Sequence, residues 1–558
     1  MSLRLSLIAL LLVGISAPAQ QKHASSPSRP PIAVYIHHSW DKLQRSMTDC
    51  ASFADSKLQA GASAPVLYLP AEQKLTPALR TLQQHCNVRI LNLPRRIRSE
   101  GDLPQDQIPT PGLLYLPNPY VVPGGRFNEM YGWDSYFILL GELADNRVAL
   151  ARGTVENFFY EIEHYGAILN ANRTYYLTRS QPPFLSSMVL AVYRAEVRTD
   201  PKAARLFLRE SLPYLLRDHN LWVTPPHLDA TTGLSRYFDL GQGPVPEMHD
   251  DLTYYTDIIH WFLDHPSQTP AGYLQKATPC AATAVIPCPQ VDGYELTPYF
   301  YVGDRAMRES GFDASFRFGP FSGSTQDYAP VCLNALLYRY ERNLAFITVT
   351  LGDRDAAVAW SLASGDRLHA INSLMWDDSA GLYFDYNLRT RQHSSYNYLA
   401  TYYALWSGIA SPIKAQRMVA ALPLFDHPGG LAMSTTDSGA QWDLPFGWAP
   451  TNWLATLGLI RYGYVGAALN VSRQFTSTIE ANYAHDGTIR EKYNVVDASG
   501  NVHVATGYKS NVIGFGWTNA VYTTMMNLLH DSQLLSGPQQ PPAPDAAPPV
   551  SSPPSQNQ

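Results

Sequence analysis

Apolar positions recur at three- and four-residue spacing over most of the chain. The segment 332–352, CLNALLYRYERNLAFITVTLG, shows the pattern, and that period gathers apolar side chains on one face of a helix. Gly352 then supplies a stop and Asp353 a cap for the next helix. The same reading predicts helices over 134–144, 147–165, 186–198, 202–217, 354–376, 395–408, 449–463, 465–483 and 516–530. Val/Ile-rich alternating runs are scarce beyond IAVYIHH, PVLYL and VRILNL in the N-terminal part. The body is therefore mostly helical, with helices following one another in pairs. A bundle, a solenoid and an α/α toroid all meet that description, although no short repeat favours a solenoid.

The two ends read differently from the body. Residues 1–19, MSLRLSLIALLLVGISAPA, join an Arg-bearing start to an apolar run and an Ala17-Pro18-Ala19 pattern, the signature of a secretory signal. The apolar run falls short of the ~20 residues a bilayer span needs. The expectation is a periplasmic or secreted protein, cleaved near Ala19. Residues 20–34 read as a linker, 35–536 as one body with an N-terminal extension of minor β content, and 537–558 as a Pro-rich tail unable to form a core. Five cysteines agree with an oxidising compartment. Cys50 with Cys86 and Cys280 with Cys288 are the expected pairs, and Cys332 is the odd thiol, expected to be buried.

Composition narrows the class. The chain has 558 residues, a formal charge of −6, 16% charged and 12% aromatic residues, among them 34 Tyr and 11 Trp. No basic run suggests nucleic acid and no charge block suggests a membrane surface. No CxxC or HExxH spacing is present, so neither metal nor cofactor is expected. Nothing marks an interface, and a monomer is expected.

Four polar and aromatic clusters each precede a helical run: PGGRFNEMYGWD, RSQPP, QWDLPFGWAP and GFGW. Loops of this kind, gathered at one end of a helical array, make one pocket. Their composition suits a sugar, because aromatic faces cover the C–H surface of a pyranose while fixed donors and acceptors match its hydroxyls. Hydrolysing a glycosidic bond also needs one protonated carboxyl and one ionised carboxylate. Composition cannot choose those two from 47 Asp and Glu.

The motifs can. PGGRFNEMYGWDSYF (123–137) and QWDLPFGWAP (441–450), with NANRTYYLTRSQPP, ESGFD, REKYNV and GFGWTN in order, resemble the glycoside hydrolase family 37 trehalases, of the bacterial periplasmic type. That resemblance implies an all-α (α/α)6 barrel with long loops forming the active site, and hydrolysis of α,α-trehalose with inversion. It makes Asp313 the general acid and Glu491 the general base. It makes Arg126, Trp133, Asp134, Asn170, Arg179, Ser180, Gln181, Glu247 and Gly311 sugar contacts. Trp442 and Trp448 are left open between lining the pocket and packing the barrel, and Asp443 is expected to be a buried brace.

Three departures stand out. Val245 occupies the place of a third sugar-binding Arg, for which Arg308 is a conceivable substitute. A Gly-rich closing loop is replaced by ASGNVHVATGYKSNVIGFGW, and ILNANR replaces the usual I-P-N-G. Asn172-Arg173-Thr174 is a glycosylation sequon by pattern only. The alternatives are an inverting α-glycosidase acting on another glucose disaccharide, and a non-catalytic sugar-binding protein.

Overall fold

A computed structural model describes residues 29–54, 64–108, 110–248, 253–279, 288–507 and 509–532. The segments read as signal and Pro-rich tail, 1–19 and 537–558, lie outside the described residues. The N-terminal part holds α1 (Ile32–Leu43) and α2 (Pro77–Cys86). Beside them, strand Val66–Leu69 pairs in parallel with Arg89–Asn92 and Leu113–Leu114. A disulfide joins Cys50 to Cys86. Cys332 is a buried free thiol, and the other expected pair involves Cys280, which is outside the described residues.

The body runs α3 (Asp134–Ala144), α4 (Val148–His164), α5 (Leu185–Glu196), α6 (Pro201–Trp222), α7 (Thr253–Asp264), α8 (Pro298–Glu309), α9 (Val331–Leu351), α10 (Arg354–Leu374), α11 (Tyr403–Ser407), α12 (Pro412–Ala420), α13 (Ala449–Arg461), α14 (Val465–Asp486) and α15 (Gly516–His530). Helices α3, α5, α9, α11, α13 and α15 pack in that order, and α15 returns to α3, closing an inner ring. Around it, α4, α6, α10 and α14 each follow and pack on an inner helix, and α1 packs on α15. This is the (α/α)6 barrel.

Gly352 ends α9 at φ +95° and Asp353 caps α10 by accepting from Ala356 N–H at 3.0 Å, as their residue types dictate. Two readings are corrected. IAVYIHH is helix α1, not a strand. Continued into SWDKL, it buries Ile36, Ser39, Trp40 and Leu43, a helical spacing that a seven-residue window hides. The helix also begins inside the segment read as a linker. In 395–408 only the end is α-helical, because Tyr396 and Tyr398 are drawn out to bond Asp443 and the Trp442 carbonyl.

An insertion between α6 and α9, with α7 and α8 at its centre, builds a second core. Phe262 contacts Tyr273, Phe300 and Phe321 edge-on there, and Val245 is fully buried among these residues.

Candidate active site

The N-terminal ends of inner helices face one cavity. Trp133 and Asp134 begin α3, Trp448 precedes α13, and Phe515 and Trp517 begin α15; all line it. The space between its walls, open solvent at the mouth included, is about 740 Å³. Helix N-termini present unpaired N–H groups and positive potential. Such a rim suits hydroxyl and carboxylate oxygens.

The stretch 123–134 is braced from behind. Phe127 N–H donates to the Gly124 carbonyl at 2.9 Å, and a Cβ on Gly124 would fall 2.8 Å from Val512. Arg126 is exposed, with its guanidinium over the Phe127 ring. Trp133 is buried and its N–H donates to Gln181 Oε1 at 2.9 Å. Glu129 turns inward and accepts from Arg173 Nε at 2.7 Å.

The stretch 170–181 is bonded to the first through Gly132 N–H to the Asn170 carbonyl at 3.2 Å. Arg179 donates from Nε to Asn170 Oδ1 at 2.8 Å and from its other arm to Glu247, while lying over Tyr176. Burial opposes both charges of the Arg179–Glu247 pair. Yet Arg179 and Arg308 hold the Glu247 carboxyl down to about 2, and Glu247 with Asp239 hold Arg179 above its ordinary range. The pair is a fixed ionic clamp on the cavity wall.

Helix α8 delivers the expected acid. Ser310-Gly311-Phe312-Asp313 turns directly off its end, with Gly311 at φ +76°. A Cβ there would meet the Trp133 indole at 2.8 Å, so glycine is required twice over. Burial pushes the Asp313 carboxyl up to about 6, against the opposing pull of Arg308 and Arg179. The QWD segment locks this turn: Gln441 donates to the Asp313 carbonyl and Trp442 N–H to the Ala314 carbonyl at 3.1 Å. Asp443 accepts from Phe316 N–H at 2.8 Å, Ser438 Oγ at 2.6 Å and Tyr396 Oη at 2.8 Å. It is the brace the sequence suggested. Arg317 adds a two-pronged bond to Asp385 at 2.6 and 2.7 Å.

Glu491 approaches from the other side. It precedes strand Lys492–Asn494, which pairs antiparallel with Phe446–Trp448. Its N–H donates to the Val512 carbonyl at 2.9 Å, and its own carbonyl accepts from Trp517 Nε1 at 3.2 Å.

Ten of the eleven residues singled out in the sequence line this cavity. Ser180 does not; its hydroxyl donates to the Ile168 carbonyl at 2.6 Å and its N–H to Glu309 at 3.3 Å, so it tightens the loop from behind. Trp442 and Trp448 both line the cavity and stack at 3.8 Å, which answers the open choice with both roles. Arg308 also lines it, held by Asp304 at 3.2 Å. A guanidinium from α8 is thus present on the cavity wall. Tyr131, Tyr176, Gln441 and Ser510 were not foreseen; an isolated Tyr, Gln or Ser carries no signal in a chain so rich in polar and aromatic residues. The sequon Asn172 is fully buried and bonds Met130 N–H and the Leu114 carbonyl, which closes it to modification in this fold.

A family model described as Trehalase matches residues 19–530. The chain belongs to the trehalase family. It is a trehalose-hydrolysing glycoside hydrolase. The cytosolic neutral trehalase of Saccharomyces cerevisiae is 35% identical over 537 residues, covering 87% of this chain and 69% of the relative. A probable trehalase of Eremothecium gossypii is 34% identical over 542 residues, covering 88% and 71%. Among solved structures, neutral trehalase Nth1 from Saccharomyces cerevisiae superposes with a TM-score of 0.74 at 32% identity, covering 90% of this trehalase chain and 95% of Nth1.

These relatives correct the expectation of export. Those from Saccharomyces cerevisiae, Pyricularia oryzae and Neurospora crassa are named cytosolic neutral trehalases. The periplasmic or secreted assignment, and with it the signal-peptide reading of residues 1–19, does not stand. A short apolar run behind an Arg is a compositional pattern, not a chemical site, and a low-specificity one.

Proposed function

We propose that this enzyme hydrolyses α,α-trehalose with inversion, Asp313 acting as general acid and Glu491 as general base. The observation that carries the reading is that both carboxyls open into one cavity, where burial pushes Asp313 up to about 6. A carboxyl so raised stays protonated long enough to donate to the bridging oxygen as that oxygen leaves C1. Glu491 takes a proton from a water attacking the opposite face, and the two products are one α- and one β-glucose. Inversion calls for ~6.5–9.5 Å between such carboxyls, so that the water fits.

Arg126, Trp133, Asp134, Asn170, Arg179, Gln181, Glu247 and the Gly311 backbone hold the sugar hydroxyls and ring faces, and Ser180 acts through the loop it tightens. The reading takes the enzyme as a monomer without nucleic-acid partners.

An NMR time course of fresh hydrolysis tests it: both anomers appear in equal amounts at first, and an initial product of α-glucose alone overturns it. Asp313→Asn and Glu491→Gln should each lower kcat by about 100-fold or more with the fold intact. A panel of trehalose, kojibiose, maltose and nigerose tests the alternative substrate that Val245 raised. Preference for trehalose is expected, because Arg308 brings a guanidinium to the same wall.

A further inference from the structure

Lys492 places a fully buried ammonium beside the cavity. Its side chain has no exposure, whereas that of Glu491 is 15% exposed. Taking an ammonium out of water costs several kcal/mol unless its donors are met. Here they are. Nζ donates to Glu491 Oε2 at 3.0 Å and to the Ser510 carbonyl at 2.9 Å, and lies 5.0 Å from the centre of the Trp448 ring. Its backbone is clamped as well: Lys492 N–H donates to Asn511 Oδ1 at 3.2 Å, and Asn511 Nδ2 donates back to the Lys492 carbonyl at 3.0 Å.

Adjacent residues in an extended strand point to opposite faces, so sequence neighbours do not meet by default. The lysine stem runs through the interior beside Trp448 and brings the charge to Glu491 from behind the cavity wall. Buried ion pairs are poor stabilisers; apolar replacements are often neutral or better. A role in the reaction explains the arrangement where stability does not.

We propose that Lys492 is a positioning residue for the water-activating carboxylate, fixing Glu491 by Oε2 so that Oε1 is presented to the attacking water. The proposal rests on Glu491 being the base. The same ammonium ties Glu491 to Ser510, which lines the cavity, so wall and base hold one geometry.

The other charged groups around Glu491 are accounted for. Arg126, Asp134, Arg179, Glu247, Arg308 and Asp313 share its cavity. Arg490 pairs with Asp486, and Lys509 with Asp257 at 3.8 Å. Strand Phe446–Trp448 and the first turn of α15 bring tryptophans, not charges, against it.

The test compares Lys492→Met, Lys492→Arg and Glu491→Gln in the full chain. Lys492→Met should keep its melting temperature and hold the KM for trehalose within about threefold. Its kcat should fall about 100-fold, the scale of a 1 Å misplacement. Lys492→Arg, which keeps a cation and its donors, should recover part of the lost kcat. If Glu491→Gln is inactive but Lys492→Met keeps its kcat, the positioning role is overturned while the base assignment stands. If Glu491→Gln stays active, the base assignment itself fails. Should Lys492→Met not fold, Lys492→Arg decides: a reduced kcat at unchanged KM supports the proposal, and a wild-type kcat overturns it.

Discussion

At residue scale, Asp313 and Arg308 make opposed demands on one site. Burial raises the Asp313 carboxyl to about 6 and Arg308 pulls it back. A general acid works only while protonated, so kcat/KM should fall as pH rises through that value. Arg308→Ala removes a cation, which raises the Asp313 pKa further and moves the basic limb to higher pH. The same change deletes a charge-assisted contact worth ~1.5–3 kcal/mol, roughly 10- to 150-fold in kcat/KM. A pH profile of the variant checks both signs; an unmoved limb would separate Arg308 from the acid. The PGGRFNEMYGWD cluster was legible from its dense polar and aromatic residues, whereas Asp313 and Glu491 were legible only through the family resemblance that ESGFD and REKYNV carry. Two details were not. Ser180 lies among sugar-facing residues in sequence but turns to the Ile168 carbonyl. Arg308 reaches the cavity wall 63 residues after Val245, on a helix outside those the sequence reading predicted.

At element scale, the reason that helix was missed is physical. Along α8, Asp304, Arg305, Arg308 and Glu309 are buried together with Phe300, Ala306 and Met307, so its polar side is packed in the interior as well as its apolar one. Helices α9 and α10 were legible because Gly352 and Asp353 punctuate them. Helix α3 was legible too, yet it hides a charge. Glu142 is fully buried, neither carboxyl oxygen has a hydrogen-bond partner, and burial pushes its pKa up to about 8 against the pull of Arg147. Below about pH 4.5 this carboxyl is neutral folded and unfolded. As pH rises toward 8 the unfolded chain ionises while the fold keeps the proton, so stability is lost through that window, at up to about 1.4 kcal/mol per pH unit. Glu142→Gln mimics the neutral acid and cannot ionise. Its melting temperature relative to wild type should therefore climb between pH 4.5 and 8 and level off above. A constant difference across that range would show that Glu142 does not titrate in the fold.

At the scale of the whole molecule, periodicity could not tell a toroid from a bundle, because each helix presents the same stripe whichever way the ring closes. Closure is made by the chain's two ends. Helix α1 packs on α15, Asn519 Nδ2 donates to Ser39 Oγ at 2.9 Å, and a Cβ on Gly141 would fall 2.6 Å from Ala520 and 2.9 Å from the Trp40 ring. Trp40 is wholly buried at this junction. The chain then leaves α1 into Gln44–Arg45, which pairs with Tyr120–Val121 just before the Arg126 loop. Arg45 Nε donates to Asn128 at 2.7 Å and another arm to the Phe127 carbonyl at 3.2 Å. The closing helix and the sugar-facing loop are thus one mechanical unit. Trp40→Ala should cost about 3–5 kcal/mol of stability as a cavity opens. Below its melting temperature it should raise the KM for trehalose more than it lowers kcat, since the loosened loop carries Arg126 while Asp313 and Glu491 stay anchored by the QWD segment and Lys492. Denaturant melts beside steady-state kinetics would check this. A destabilised variant with unchanged KM would show that ring closure and sugar binding are independent.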